Sequence, residues 1–120
     1  MKFGLINVTS TDYKQRYIID LIEVKRQRLR SIINNLFQSY IRYVILAYSK
    51  PPAVSDCYEA LKELDIILEQ IEYEITNNDS GDRIIKLLSK AKKIAGDIGG
   101  ETQVIIEDLV ESLYPFYNGQ

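Results

Sequence analysis

Apolar residues recur at Ile18, Ile22, Leu29, Ile32, Leu36, Tyr40, Tyr43 and Ala47, in steps of three, four and seven. Those steps trace one stripe of an α-helix. After an apolar lead-in over residues 1–10 (Phe3, Leu5, Ile6, Val8), Thr9 and Asp12 stand at capping-box spacing, so the helix is predicted over 11–50. Pro51-Pro52 stops it. Ser31, Asn34 and Asn35 are weak helix formers and mark where a kink would split it into a pair. A second helix is predicted over 55–77 with Ser55 as cap; Leu61, Leu64, Leu68, Ile71 and Ile75 form its seam. Asn77 to Gly81 reads as a turn in which Gly relieves the backbone. A third helix over 82–98 places Ile84, Leu87, Ala91, Ile94 and Ile98 inward, and Gly99-Gly100 ends it. The fourth, over 101–114, turns Val104, Ile105, Leu109 and Leu113 inward, and Pro115 breaks it. The expected fold is all-α: one domain, a four- to five-helix bundle with a long first helix and no strand beyond a short one in the lead-in.

Charge changes this picture more than composition does. The chain of 120 residues has 46% apolar and 27% charged residues, ordinary for a globular fold. Residues 1–50, however, hold nine basic and three acidic side chains, a net of +6, whereas residues 51–80 hold one basic and eight acidic, a net of −7. Residues 81–120 add five basic and six acidic, −1, giving the total of −2. A basic first helix is thus followed by an acidic second one. The bias toward Ile, Tyr, Lys and Glu suits an archaeal thermophile, and an AT-rich genome gives a similar bias. No secretory signal pattern is visible and the longest uncharged apolar run, Tyr43 to Ser49, is far below a membrane span, so a cytoplasmic protein with no membrane contact is expected.

Candidate chemistry is sparse. With no histidine, acid–base work at neutral pH would require a strongly perturbed carboxylate or lysine. The single cysteine, Cys57, lacks a His or Cys partner and reads as a small apolar group. Gly96, Gly99 and Gly100 follow a helix, where a dinucleotide loop would follow a strand. Glu69, Glu72 and Glu74 could approach a divalent ion, but a solvated acidic face is the expected reading. No enzyme, metal or cofactor is expected. The cluster Lys25, Arg26, Arg28 and Arg30 is a candidate phosphate-contacting surface; its rival is a charge-complementary protein contact, within the chain or between subunits, and any nucleic-acid contact is expected to be weak or indirect. Tyr114, Phe116 and Tyr117 gather three rings that must dock on a partner or on the domain's own helices.

Helix three brings a resemblance. Arg83-Ile84-Ile85-Lys86-Leu87-Leu88-Ser89-Lys90-Ala91 resembles the Arg-x-x-Lys-Ile-x-x-Leu-Ala pattern in the helical A-domain of GINS replication proteins. Glu107-Asp108 followed by Leu113-Tyr114 is similar to the family's acidic closing helix. Asp20-Leu21-Ile22-Glu23 and Leu36-Phe37-Gln38-Ser39-Tyr40-Ile41 look like its opening helices. The order of parts spans roughly Tyr17 to Tyr114. The resemblance implies an archaeal GINS subunit of the type with the helical domain first. Such a subunit is a non-catalytic scaffold of the replication complex, nucleoid-associated, joined to sister subunits in an oligomer and bridging the MCM helicase and a RecJ-type partner. Arg83, Lys86, Leu87, Leu113 and Tyr114 would carry the contacts, with Phe116 and Tyr117 beside them. The alternatives are a small helical protein of an archaeal virus or mobile element that binds DNA through the first helix, and a helical subunit of an RNA-guided effector complex.

Overall fold

The computed structural model describes residues 10–47 and 52–117, with side chains described over 13–38 and 56–117. Four helices account for nearly all of them: α1 (Ser10–Ala47), α2 (Pro52–Asn77), α3 (Gly81–Ile98) and α4 (Gly100–Tyr117). The expected lead-in strand, the Thr9 cap, and the inward placement of Tyr40, Tyr43 and Ala47 lie outside the described residues.

Each helix packs on its chain neighbours and α4 closes the ring against α1, while the backbones of the diagonal pairs α1–α3 and α2–α4 stay apart among the described residues. Pairings along the seams run in opposite directions. Gln15 donates to the Ile75 carbonyl while Phe37 stacks on Tyr58, and Tyr17 meets Phe116 while Arg28 meets Glu101. This is an up-and-down antiparallel bundle. Its core is Ile18, Ile22 and Leu29 of α1, Leu61, Leu64, Ile67, Leu68, Ile71 and Ile75 of α2, Ile84, Leu88, Ala91 and Ala95 of α3, and Ile105, Ile106, Leu109, Val110 and Leu113 of α4.

The seam of α2 is as expected, with Ile67 added. The expectations for α3, α4 and Pro115 need correction. In α3 the buried stripe is Ile84, Leu88, Ala91, Ala95, while Leu87, Ile94 and Ile98 are only half-buried. The two alanines at its centre let neighbouring helices approach, and the larger side chains flank the contact. In α4, Val104 is 64% exposed and Thr102, Ile106 and Val110 take inward places. Pro115 does not break α4, which continues to Tyr117 because its last turn is packed onto α1. Proline removes one backbone hydrogen bond there, and ring burial offsets that loss.

The connections are tight. Pro52 opens α2, three residues ahead of the expected start, so Ser55 lies within the helix and is not its cap; the missing N–H of Pro52 costs nothing because first-turn donors have no helical partner. In the α2–α3 turn it is Asp79, at φ 50°, that takes the left-handed conformation, not Gly81. Ser80 then caps α3, its Oγ accepting from Arg83 N at 3.4 Å. Gly99, at φ 76° and ψ −167°, and Gly100, at φ 58°, turn the chain from α3 into α4.

α1 continues as one helix straight through Ser31 to Asn35. Its 38 residues span about 57 Å, against about 27 Å for the 18 residues of α3 and of α4. Glu101, at the start of α4, lies opposite Arg28. Past that level, among the described residues, only α1 (31–47) and α2 (52–60) remain, and this pair forms an arm beyond the four-helix body. The long dimension of the molecule is accordingly 63 Å, with 31 and 21 Å across.

Candidate functional site

The cations of α1 meet their charge partners inside the fold. Arg26 follows Ile22 by four residues and precedes Leu29 by three, so helical geometry turns it inward, and it is 6% exposed. Its guanidinium reaches across to α2. Nε donates to Asp65 Oδ1 at 2.9 Å, Nη2 to Asp65 Oδ2 at 3.4 Å, and Nη1 to Glu72 Oε1 at 2.7 Å. The planar fork suits two carboxylates seven residues apart on one helix face. Burial works against the Arg26 charge, but Asp65 and Glu72 more than compensate and hold its pKa above the usual guanidinium value.

Glu72 is the perturbed group. Burial, together with the adjacent carboxyl of Glu23, pushes it up to about 7, against the pull of Arg26. Its Oε2 is buried without a hydrogen-bond partner. The neutral acid can donate a proton toward Glu23, which the carboxylate cannot.

The other three cations are also engaged. Lys25 pairs with Asp108, whose pKa is lowered by that hydrogen bond and charge; Arg28 stands 3.7 Å from Glu101, and Arg30 stands 3.6 Å from Asp65. Lys25 to Arg30 therefore form the charge-complementary contact within the chain, and Arg28 and Arg30 remain half exposed. The carboxylates expected as a solvated face divide. Glu69 is exposed, Glu72 is enclosed, and Glu74 is largely covered and pairs with Arg83 at 3.3 Å. No group of three metal-ligating side chains exists among the described residues.

The terminal rings dock on the domain itself. Phe116 meets Tyr17 edge-on at 6.1 Å, and the Lys14 ammonium lies 5.0 Å from the Tyr117 ring centre. The Tyr117 hydroxyl is pushed up to about 12, by burial and by the charge of Asp79. Leu113 is fully buried and belongs to the core, which corrects its reading as a partner contact. Tyr114 is half-buried against the same core.

Arg83, Lys86 and Leu87 do come together. With Glu69, Gln70, Tyr73 and Glu74 they line an open groove of about 630 Å³ between α2 and α3. Tyr73 and Arg83 are well exposed along it, at 62% for Tyr73 and 68% for the Arg83 side chain. Sequence reasoning did not place Tyr73, Glu69 and Gln70 beside these cations. The available signal was that Tyr73 and Gln70 lie off the Leu61 to Ile75 stripe. A second, acidic cleft follows the outer face of α2 around Glu59, Glu63 and Ile66.

No protein-family model, curated protein or solved structure matches the chain. Fold and surfaces thus define the class, an antiparallel four-helix bundle with a projecting two-helix arm. No described helix is long and apolar enough to cross a membrane.

Proposed function

We propose that this chain is a non-catalytic scaffold subunit that works by helix-mediated contacts with other protein chains. The observation that carries the reading is the arm: an unbroken α1 runs about 25 Å past the start of α4, taking half-buried Ile32, Ile33 and Leu36 with it. A bundle that only needed to fold would match its helix lengths, as burial of every seam favours. Within this reading, a subunit of a replication complex of the GINS type is the narrower proposal. It is supported by the order of the helices and by Arg83 and Lys86, which line the α2–α3 groove with exposed side chains, Arg83 also pairing with Glu74. The same groove is where an MCM helicase or a RecJ-type protein would be met. DNA binding through α1 is disfavoured because Lys25, Arg26, Arg28 and Arg30 already face carboxylates.

The test is affinity purification of the tagged full chain from its source cells, with partners identified by mass, beside an Arg83→Glu, Lys86→Glu variant. The expected result is a stoichiometric protein partner, lost or depleted in the variant. A replication helicase or sister subunit among the partners supports the narrower reading. Sub-micromolar duplex DNA affinity that persists in about 200 mM salt, with no protein partner, overturns both.

A further inference from the structure

We infer that the α2–α3 face is self-complementary: two copies pack these faces together about a two-fold axis parallel to the helices, so that α2 of each lies on α3 of the other. The inference deepens the scaffold reading by naming the occupant of the groove, and it rests on that reading for the idea that the groove is a protein contact.

The first observation is that charge is left over on this face. Over Pro52–Asn77, α2 holds seven acidic side chains and one basic; over Gly81–Ile98, α3 holds five basic and two acidic. Cations of α1 meet Asp65 and Glu72, and Arg83 meets Glu74. Glu63 and Glu69 of α2 and Lys86, Lys90 and Lys93 of α3 are exposed and form no ion pair among the described residues. An acidic ridge therefore runs beside a basic one.

Secondly, the two ridges are in register. Glu59, Glu63, Ile66, Gln70 and Tyr73 recur at steps of four and three along α2, and Arg83, Lys86, Lys90 and Lys93 do so along α3, so each set is one outward stripe. Arg83 meets Glu74 and the helices are antiparallel with equal rise, so each step up α3 is a step down α2. Lys93 then stands level with Glu63, and Glu69 stands between the levels of Lys86 and Lys90. An axis parallel to the helices keeps every level and exchanges left for right. It sets Glu63 against Lys93 of the partner subunit and Glu69 between Lys86 and Lys90 of the partner subunit. An axis across the helices would instead set acidic α2 on acidic α2. Charge selects the first packing.

That match of levels is what favours a second copy. A foreign protein has no need for the acidic stripe of this chain to fit the basic stripe of the same chain. Between the charges lie Ile66, 51% exposed, and Tyr73, 62% exposed, with Leu87 and Ile94 half-buried beside them. Apolar groups flanked by charge are the anatomy of a protein interface, and the carboxylates of α2 would repel a nucleic acid laid along the lysines. The face is about 27 Å long, the length of α3, and about 20 Å wide, so two copies bury about 1,100 Å² in all. That area is at the low end for a specific contact and suits a dimer with a Kd of roughly tens of micromolar. The contact is isologous and closes.

The experiment is sedimentation equilibrium of the full chain from about 1 to 500 µM, on the wild type and on two charge-swapped variants, Glu63→Lys and Lys93→Glu. We expect the wild type to approach twice the 13.9 kDa chain mass at the upper end, less so in about 500 mM salt. Each variant alone is expected to raise the dimer Kd at least about tenfold, since symmetry places a like-charge contact twice in every dimer. Mixed in equal amounts, the two variants are expected to pair again, because one carries only ammonium groups and the other only carboxylates at the swapped contacts. Both positions are exposed, and thermal melts confirm that the variants stay folded. Val104→Glu, on α4, is expected to leave the Kd unchanged. A 13.9 kDa species at every concentration overturns the inference, as does a dimer that survives both swaps or folded variants that fail to pair on mixing. So does a chain that stays monomeric and binds RNA or duplex DNA through Lys86, Lys90 and Lys93. A monomer that still holds a stoichiometric foreign partner sinks the dimer and leaves the scaffold reading; a charge-dependent dimer that captures no foreign partner does the reverse.

Discussion

At the scale of single residues, position on a stripe decides more than chemical type. Leu68 is 0% exposed and Ile66, two residues earlier on the same helix, is 51% exposed. Leu68→Ala is expected to cost about 2–5 kcal/mol, as buried leucines do, and Ile66→Ala less than about 0.5 kcal/mol. Thermal melts of the two variants check this; equal shifts would contradict the packing. Arg26 shows what was legible and overlooked. Its place between Ile22 and Leu29 was readable as inward, yet a run of four cations reads as a surface until one asks which of them share the apolar stripe. Its acceptors, Asp65 and Glu72, required the α1–α2 register, which no local pattern supplies. Glu72 has a consequence in pH. An acid whose folded pKa lies near 7 instead of the usual 4.5 binds its proton more tightly in the folded state, so stability falls as pH rises from about 4.5 through about 7. Glu72→Gln is expected to flatten that fall, gaining on the wild type at pH 8 relative to pH 5. Melts at the two pH values showing parallel curves would contradict the assignment.

At the scale of elements, helix existence was plain in the periodicity and helix orientation was not always so. The α2 seam was legible because its apolar residues keep strict three–four spacing among charged neighbours. In α3 and α4 apolar residues occupy adjacent positions, Leu87 with Leu88 and Val104 with Ile105, so two stripes fit equally well locally. Contacts between helices chose between them. Pro115 was misread for a related reason: propensity favours a stop, and docking of Phe116 and Tyr117 overrides it. The glycines of the α3–α4 region separate two effects. Gly99 sits in a backbone region that only glycine occupies readily, while Gly96 is ordinary helix, and neither has an atom within 4 Å of an added Cβ. Gly99→Ala is therefore expected to cost about 1–3 kcal/mol through strain alone. Gly96→Ala is expected to stabilise by about 0.5–1 kcal/mol through helix propensity. Chemical denaturation of both resolves the signs, and a destabilised Gly96→Ala with a neutral Gly99→Ala would reverse the account of this turn.

At the scale of the whole molecule, the cations of α1 pair with Asp65 and Glu72 of α2 and with Glu101 and Asp108 of α4, and these ion pairs align α1 with both neighbours. The surfaces we propose for partners are the α2–α3 groove and the arm. The groove was half visible, because Arg83 and Lys86 stood out and the residues facing them across the seam did not. The arm depended on whether α1 continues through Ser31, Asn34 and Asn35, and weak propensity in three residues does not break a helix that packs on α2 along both sides of them. That continuity is the central claim, and small-angle X-ray scattering of the dilute chain, extrapolated to the monomer, measures it directly. With the arm extended, the radius of gyration should lie near the 17.5 Å of the Cα trace and the longest dimension should exceed 60 Å, in line with its 63 Å extent. A radius of gyration near the ~14 Å of a compact globule of this length would mean that α1 folds back on the body, and the account would fail.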